Sequence, residues 1–166
     1  MGRRENEASA PFRELMRRSK RNSEMSRVAV SILKADSKVS QVLERALAEV
    51  NLTLPQFNVL MELASSSEAR LPLYEINSRL ISTPPNTSWL SQRMEAAGLV
   101  TKSRDANDSR VVVLRLTKPG WAKLEDAAPL VFQAEKELLA SYSRRELRDL
   151  ADLLEPIVQD SASTSP

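Results

Sequence analysis

The chain has 166 residues but no cysteine and no histidine. Without cysteine it can form no disulfide, no thiolate zinc site and no cysteine nucleophile. Without histidine it lacks the most common general base and the most common metal ligand, so Ser-His-Asp triads and His-ligated zinc or haem sites are excluded. We therefore expect a protein without catalytic residues, metal or cofactor.

Glycine is almost as scarce, with Gly2, Gly98 and Gly120 as its three positions. Three such scattered glycines cannot form a GxGxxG fingerprint or a P-loop, so the common nucleotide-binding motifs are excluded. No apolar run approaches the roughly 18 residues of a membrane helix. The polar start, MGRRENEASAPF, lacks a signal-peptide core. We expect a soluble cytoplasmic protein with no membrane partner.

Charge is unevenly distributed along the chain, although the net charge is only +2. Residues 1–27 are net basic and residues 121–160 are net acidic, while residues 84–116 again carry an excess of basic side chains. Any contact with a nucleic acid must therefore come from local placement of charge. We interpret residues 1–23 as a basic arm and residues 161–166 as a tail.

Apolar periodicity predicts helices through most of the remaining chain. From Val28 to Val50 the apolar residues alternate at intervals of four and three, as on one face of a long helix. Thr53 and Gln56 form a capping box for a second helix. A strand stub at 71–73, a short helix at 74–81 and a helix at about 85–97, ended by Gly98, follow.

Two strands are predicted at 99–104 and 110–116, joined by a polar tip at 105–109. Thr117 and Ser143 then begin two further helices within 118–160. The fold class is therefore mainly α with a small β-hairpin wing. In this winged helix-turn-helix, residues 24–160 form one domain, and residues 53–117 are its winged lobe.

The helix at 85–97 is the best candidate for contact with DNA. At 100° per residue, Thr87, Leu90, Met94 and Ala97 share the buried side. Glutamine can pair with adenine and arginine with guanine, while serine and asparagine suit phosphate oxygens. A solvated polar face, with Trp89 as a partly buried anchor, is the other interpretation. The candidate DNA-binding residues on this helix are Asn86, Thr87, Ser88, Trp89, Gln92 and Arg93.

The hairpin adds candidate DNA-binding side chains, namely Lys102, Arg104 and Arg110. Asp108 precedes Arg110 by two positions, so its carboxylate can hold that arginine and close the turn. An exposed ion pair of little energetic value is the alternative.

At three places the sequence resembles one family. The segments are Gly98-Leu-Val, Asp108-Ser-Arg110 and Leu114-Arg-Leu-Thr-Lys-Pro-Gly120, and Leu54-Pro-Gln-Phe-Asn-Val-Leu60 upstream agrees with them. Together they resemble the MarR (multiple antibiotic resistance regulator) family over about residues 28–158.

The resemblance implies a homodimeric winged-helix transcription regulator of bacteria or archaea, with the helices of 24–52 and 118–160 forming the dimer. It implies that the helix at 85–97 recognises DNA, that Arg110 reaches the minor groove or backbone, and that Asp108 steadies Arg110. It also implies a small aromatic or anionic ligand, for which the sequence identifies no residues. Trp89 departs from the pattern, because the family often has arginine there.

We therefore expect a sequence-specific double-stranded DNA-binding repressor acting on a pseudo-palindromic operator. The alternative is a winged-helix module that binds proteins and has no operator. A wing used for protein contact would more commonly be apolar or acidic, so the basic hairpin favours DNA.

Overall fold

The computed structural model describes residues 23–80 and 87–160. Most of the predicted basic arm, the start of the helix near Pro85 with the candidate Asn86, and the tail lie outside the described residues. Contacts between Cα atoms divide the chain into two units, residues 1–40 and 41–166.

Helix α1 spans Ser23–Ala48. In the first unit, its large apolar side chains Met25, Val28 and Leu33 are exposed. In the second unit, Leu43 and Leu47 are buried. Beyond the helix, the Leu52 N–H donates a hydrogen bond to the Leu47 carbonyl at 3.1 Å, which closes the helix end.

The winged lobe contains α2, α3, α4 and an antiparallel sheet. Its boundaries are α2 Leu54–Ser65, β1 Arg70–Pro72, α3 Leu73–Arg79, α4 Thr87–Ala96, β2 Val100–Arg104 and β3 Val112–Leu116. The strand order is β1-β3-β2, so β3 lies in the centre. Leu71 pairs with Leu114, and Val100 pairs with Leu116. The predicted strand stub is thus a third strand of the wing sheet, paired with β3.

The tip of the hairpin is longer than the sequence predicts. Strand β3 begins at Val112 rather than at 110, so the connection covers residues 105–111 and Arg110 lies in it. Side-chain carboxylates cause this difference, because they bind the backbone donors of the turn. The Asp105 Oδ1 accepts from the Asn107 N–H at 2.9 Å, and the Asp108 Oδ1 accepts from the Arg110 N–H at 2.9 Å.

Two helices complete the chain, α5 at Lys118–Leu138 and α6 at Arg144–Asp160. As predicted, Thr117 caps α5, and its Oγ1 accepts from the Gly120 N–H at 3.0 Å. The Ser143 N–H donates to the Glu146 carboxylate at 2.8 Å before α6. This bond, with a second one from the Ser143 hydroxyl, lowers the pKa of Glu146.

Four residues bring the end of α4, the start of β2 and the start of α5 together. We call this set the Leu99 junction: Gly98, Leu99, Thr117 and Gly120. Gly98 has φ 72°, and the Leu99 N–H donates to the Met94 carbonyl at 2.9 Å, which is a Schellman ending of α4. The Thr117 hydroxyl lies 2.6 Å from the Gly98 carbonyl oxygen and 2.9 Å from that of Leu99.

Gly120 completes the junction because no larger residue fits there. A Cβ at this position would collide with the Leu99 carbonyl oxygen and would lie 2.9 Å from the Leu116 Cδ1. The glycine and threonine of the Leu114–Gly120 segment are therefore packed against the Gly98–Val100 segment. Two sequence segments that resemble one family thus form one structural contact.

The core of the second unit lies between α2, α3, α4, α5 and the sheet. Its most completely buried apolar side chains are Leu47, Leu60, Leu63, Ile76, Met94, Leu114 and Val100. The predicted fold class, mainly helical with a small hairpin wing, is confirmed. Of the helices in residues 23–80 and 87–160, none has a stretch long and apolar enough to cross a membrane.

Candidate nucleic-acid interface

Helix α4 separates an apolar side from a polar one. Leu90 and Met94 are buried, as the helical wheel predicts. The exposed side presents four of the predicted candidates, which are Ser88, Trp89, Gln92 and Arg93. The structure therefore places these four side chains on one accessible surface of the helix.

One position of the wheel differs from the prediction. Ala97 is exposed, because α4 ends at Ala96 and the chain then turns through Gly98. Ser91, to which the prediction assigned no side, is buried although it is polar. Its hydroxyl donates to the Ser88 carbonyl at 2.8 Å, so the buried oxygen is satisfied within the helix.

Thr87 lies apart from the exposed candidates. It is half-buried and lines a small cavity of about 10 Å³ together with Leu73, Ile76 and Leu90. That volume holds about one water molecule and no aromatic ring. Thr87 thus belongs to the buried side of α4, so it is a weaker candidate for base contact than its neighbours.

Trp89 and Arg93 interact along the exposed face of α4. The Arg93 Cζ lies 4.6 Å from the centroid of the Trp89 ring system, within the range of a cation–π contact. Trp89 remains 53% exposed. It is therefore a partly accessible aromatic surface in contact with an arginine, and the interpretation of Trp89 as a partly buried anchor stays open.

Arg110 projects into solvent from the wing tip, with 95% of its side chain exposed. Its Nε lies 3.6 Å from the Asp108 Oδ1, so the predicted pairing of Asp108 with Arg110 is present. This pair contributes little to stability, since both groups are hydrated. The Asp108 carboxylate instead fixes the direction of the loop through its bond to the Arg110 N–H.

Arg104 and Lys102 face different environments from Arg110. The Arg104 Nη1 donates to the Arg110 carbonyl oxygen at 3.2 Å, so part of its guanidinium supports the tip. Lys102 is half-buried, and its backbone N–H donates to the Glu95 Oε1 at 3.2 Å. This bond joins strand β2 directly to α4.

Three supporting residues are absent from the sequence prediction: Glu95, Arg70 and Glu68. The Arg70 Nη2 lies 3.7 Å from the Asp105 Oδ2 at the base of the tip. The Arg115 Nη2 lies 3.8 Å from the Glu68 Oε2. These contacts depend on the pairing of β1 with β3, and no local sequence signal specifies that pairing.

The exposed face of α4 and the wing together offer donors of two kinds. Glutamine and arginine on a helix match base edges in a major groove, which admits an α-helix. An exposed arginine on a projecting loop matches phosphates or a minor groove. These are the kinds of donor that suit double-stranded DNA.

Comparisons with known proteins give a consistent result. Residues 41–127 match the family model described as "Transcriptional regulator SarA/Rot". The homoprotocatechuate degradative operon repressor of Escherichia coli is 24% identical over 131 residues, which is 79% of this chain and 87% of that repressor.

Two solved structures share the fold. The first is Sco3205, a MarR family transcriptional regulator from Streptomyces coelicolor in complex with DNA, with a TM-score of 0.76, 21% identity and coverage of 83% of this chain and 88% of that one. The second is the organohalide-sensing regulator RdhR in its 2,4-dichlorophenol-bound form, with a TM-score of 0.74, 22% identity and coverage of 83% and 81%.

Proposed function

Because this chain belongs to the SarA/Rot family of transcriptional regulators and has the fold of MarR family regulators, we propose that it is a homodimeric, sequence-specific repressor of transcription. In this proposal two copies place α4 in successive major grooves of a pseudo-palindromic operator, about 34–36 Å apart. The wings contact the flanking backbone or minor groove. Such a protein acts on DNA in the cytoplasm of a bacterium or an archaeon.

The observation that carries the proposal is the surface formed by α4 and the wing. Ser88, Gln92 and Arg93 are exposed together on α4, and Arg110 projects from the tip. The bond between Glu95 and Lys102 holds the helix and the wing in one arrangement. Elements that are already held in place lose less conformational freedom when they bind, so the bond between α4 and the wing favours affinity for DNA.

The dimer is proposed from apolar surface that the monomer leaves exposed. Among the side chains of residues 144–159 of α6, none is buried. Leu150 and Leu153 are exposed on α6, and Phe132 is exposed on α5. Exposed large apolar side chains spaced along a helix are typical of protein interfaces, and a second copy of this chain would bury them.

A small aromatic or anionic ligand that changes operator affinity is part of the proposal. The 2,4-dichlorophenol-bound form of RdhR supports it, because that regulator shares the fold. The cavity beside Thr87 is not assigned to this ligand, since its volume of about 10 Å³ is too small for a ring.

The first test is selection of bound duplexes from a random DNA pool at near-physiological salt, followed by sequencing. We expect a motif with two-fold symmetry. Recovery of no motif, with only weak and salt-sensitive binding, would contradict the proposed function. It would favour the alternative in which the winged lobe binds a protein.

Replacing Arg110 with alanine is expected to weaken operator binding and to reduce the slope of log K against log salt by about one unit. The reason is that Arg110 supplies one exposed positive charge to a phosphate. Fluorescence anisotropy at several salt concentrations measures both quantities.

Arg145→Ala is the matched control. Arg145 is 91% exposed, and its Nε lies 3.7 Å from the Asp149 Oδ2, which reproduces the environment of Arg110 at a site far along the chain on α6. This variant should leave the slope unchanged. If Arg110→Ala shows the same slope of log K against log salt as Arg145→Ala, Arg110 is not part of the proposed interface.

A further inference from the structure

Trp89 has a clear physical relation to Arg93 but no role in the function proposed above. The two residues are one turn apart on the exposed face of α4, with the Arg93 Cζ 4.6 Å from the Trp89 ring centroid. Among the residues that the structure describes, no carboxylate lies within ion-pair distance of Arg93. Within the described part of the chain, the guanidinium is therefore contacted by the aromatic ring and by no carboxylate.

A cation–π contact leaves the hydrogen-bonding capacity of a guanidinium largely unused. The Arg93 Cζ lies over the Trp89 ring, and the five N–H donors of the group lie in its own plane. A bidentate ion pair with a carboxylate would instead occupy two of those donors. The contact with Trp89 therefore leaves donors of Arg93 available to a bidentate acceptor.

Guanine is the base that presents such an acceptor in the major groove. Its O6 and N7 atoms accept two parallel hydrogen bonds from one arginine. A freely rotating arginine loses much rotamer freedom when it makes this contact. Contact with Trp89 restricts that freedom before DNA arrives, so less is lost on binding.

We propose that Trp89 is a positioning residue that holds the guanidinium of Arg93 for the recognition of one guanine in each half-site. This inference rests on the proposed function, because it places α4 in a major groove. Trp89 itself then acts on DNA through Arg93. The pair, rather than Arg93 alone, sets the strength of guanine preference at that position.

The experiment uses the full-length protein and the operator selected by it. The guanine whose preference is lost in Arg93→Ala identifies the position. A duplex with 7-deazaguanine at that position lacks the N7 acceptor. We define the guanine penalty as the dissociation constant for this duplex divided by that for the unmodified duplex. We expect a penalty of about 10-fold for the unmodified protein and almost none for Arg93→Ala.

Substitutions at Trp89 then test the positioning role. Trp89→Leu keeps an apolar side chain but removes the π face, and we expect it to reduce the guanine penalty by about 2- to 5-fold. Trp89→Phe keeps a ring and should retain more of the penalty. Arg145→Ala is the control, because it removes an exposed arginine of α6 that lies outside the proposed DNA-binding surface, and it should keep the full penalty.

Three results would overturn the inference. The first is an unchanged guanine penalty in Trp89→Leu. The second concerns replacement of a thymine in the operator by uracil, which removes the base methyl group. If this replacement weakens binding of the unmodified protein but not of Trp89→Leu, Trp89 contacts that methyl group itself. The third is failure of the unmodified protein to select any motif, and only this result would also remove the proposed function.

Discussion

Replacing Leu153 with glutamate is expected to convert the protein to monomers and to weaken operator binding by at least about 100-fold. Leu153 is 73% exposed on α6, so the change costs the isolated chain little. In a symmetric dimer it would place two carboxylates in an apolar interface, which is strongly unfavourable. Monomers could then engage only one half-site at a time.

Sedimentation velocity measures the mass, and anisotropy with full and half operators measures the binding. Arg148→Glu is the control, because at 100° per residue Arg148 lies roughly opposite the apolar face of α6. It should remain dimeric and bind the full operator. A dimeric Leu153→Glu with unchanged operator affinity would show that α6 does not form the interface.

Replacing Gly120 with alanine is expected to lower the free energy of unfolding by about 2–3 kcal/mol. The added Cβ meets the Leu99 carbonyl oxygen, which is backbone, and the Leu116 side chain. The backbone carbonyl cannot move away without shifting α5 from the end of α4. Urea denaturation at a fixed protein concentration measures the change.

Substitution of Gly98, at the same junction, is expected to destabilise the protein for a different reason. A Cβ there would have nothing within 4 Å, but its φ of 72° disfavours other residues. Gly98→Ala should cost about 1–2 kcal/mol. Gly98→Asn should cost less, since asparagine tolerates this conformation. A Gly120→Ala variant as stable as the unmodified chain would mean that α5 shifts freely at its first turn.

Local sequence signals predicted the parts of the fold that depend on neighbouring residues. Thr53 with Gln56 and Thr117 begin their helices as expected, because a cap involves only three or four consecutive residues. Gly98 ends α4 for the same reason. The exposed candidates of α4 also followed from the helical repeat.

Features that depend on distant residues were not predictable in this way. The pairing of Arg70 with Arg115 joins strands that are far apart in the sequence, and β1 is too short to show a periodic pattern. The bond from the Lys102 N–H to Glu95 likewise depends on how the hairpin lies against α4. The position of Arg110 in the loop was missed because the Asp108 carboxylate competes with strand pairing for the Arg110 N–H.

The Leu99 junction has a mechanical consequence. The Thr117 hydroxyl joins the start of α5 to the end of α4 by a hydrogen bond. Gly120 allows the two segments to approach closely, because it has no side chain. Glu95 in turn joins α4 to the hairpin. We therefore expect a small rotation of α5 to be transmitted to α4 and the hairpin together, so that these two elements keep their relative orientation when α5 moves.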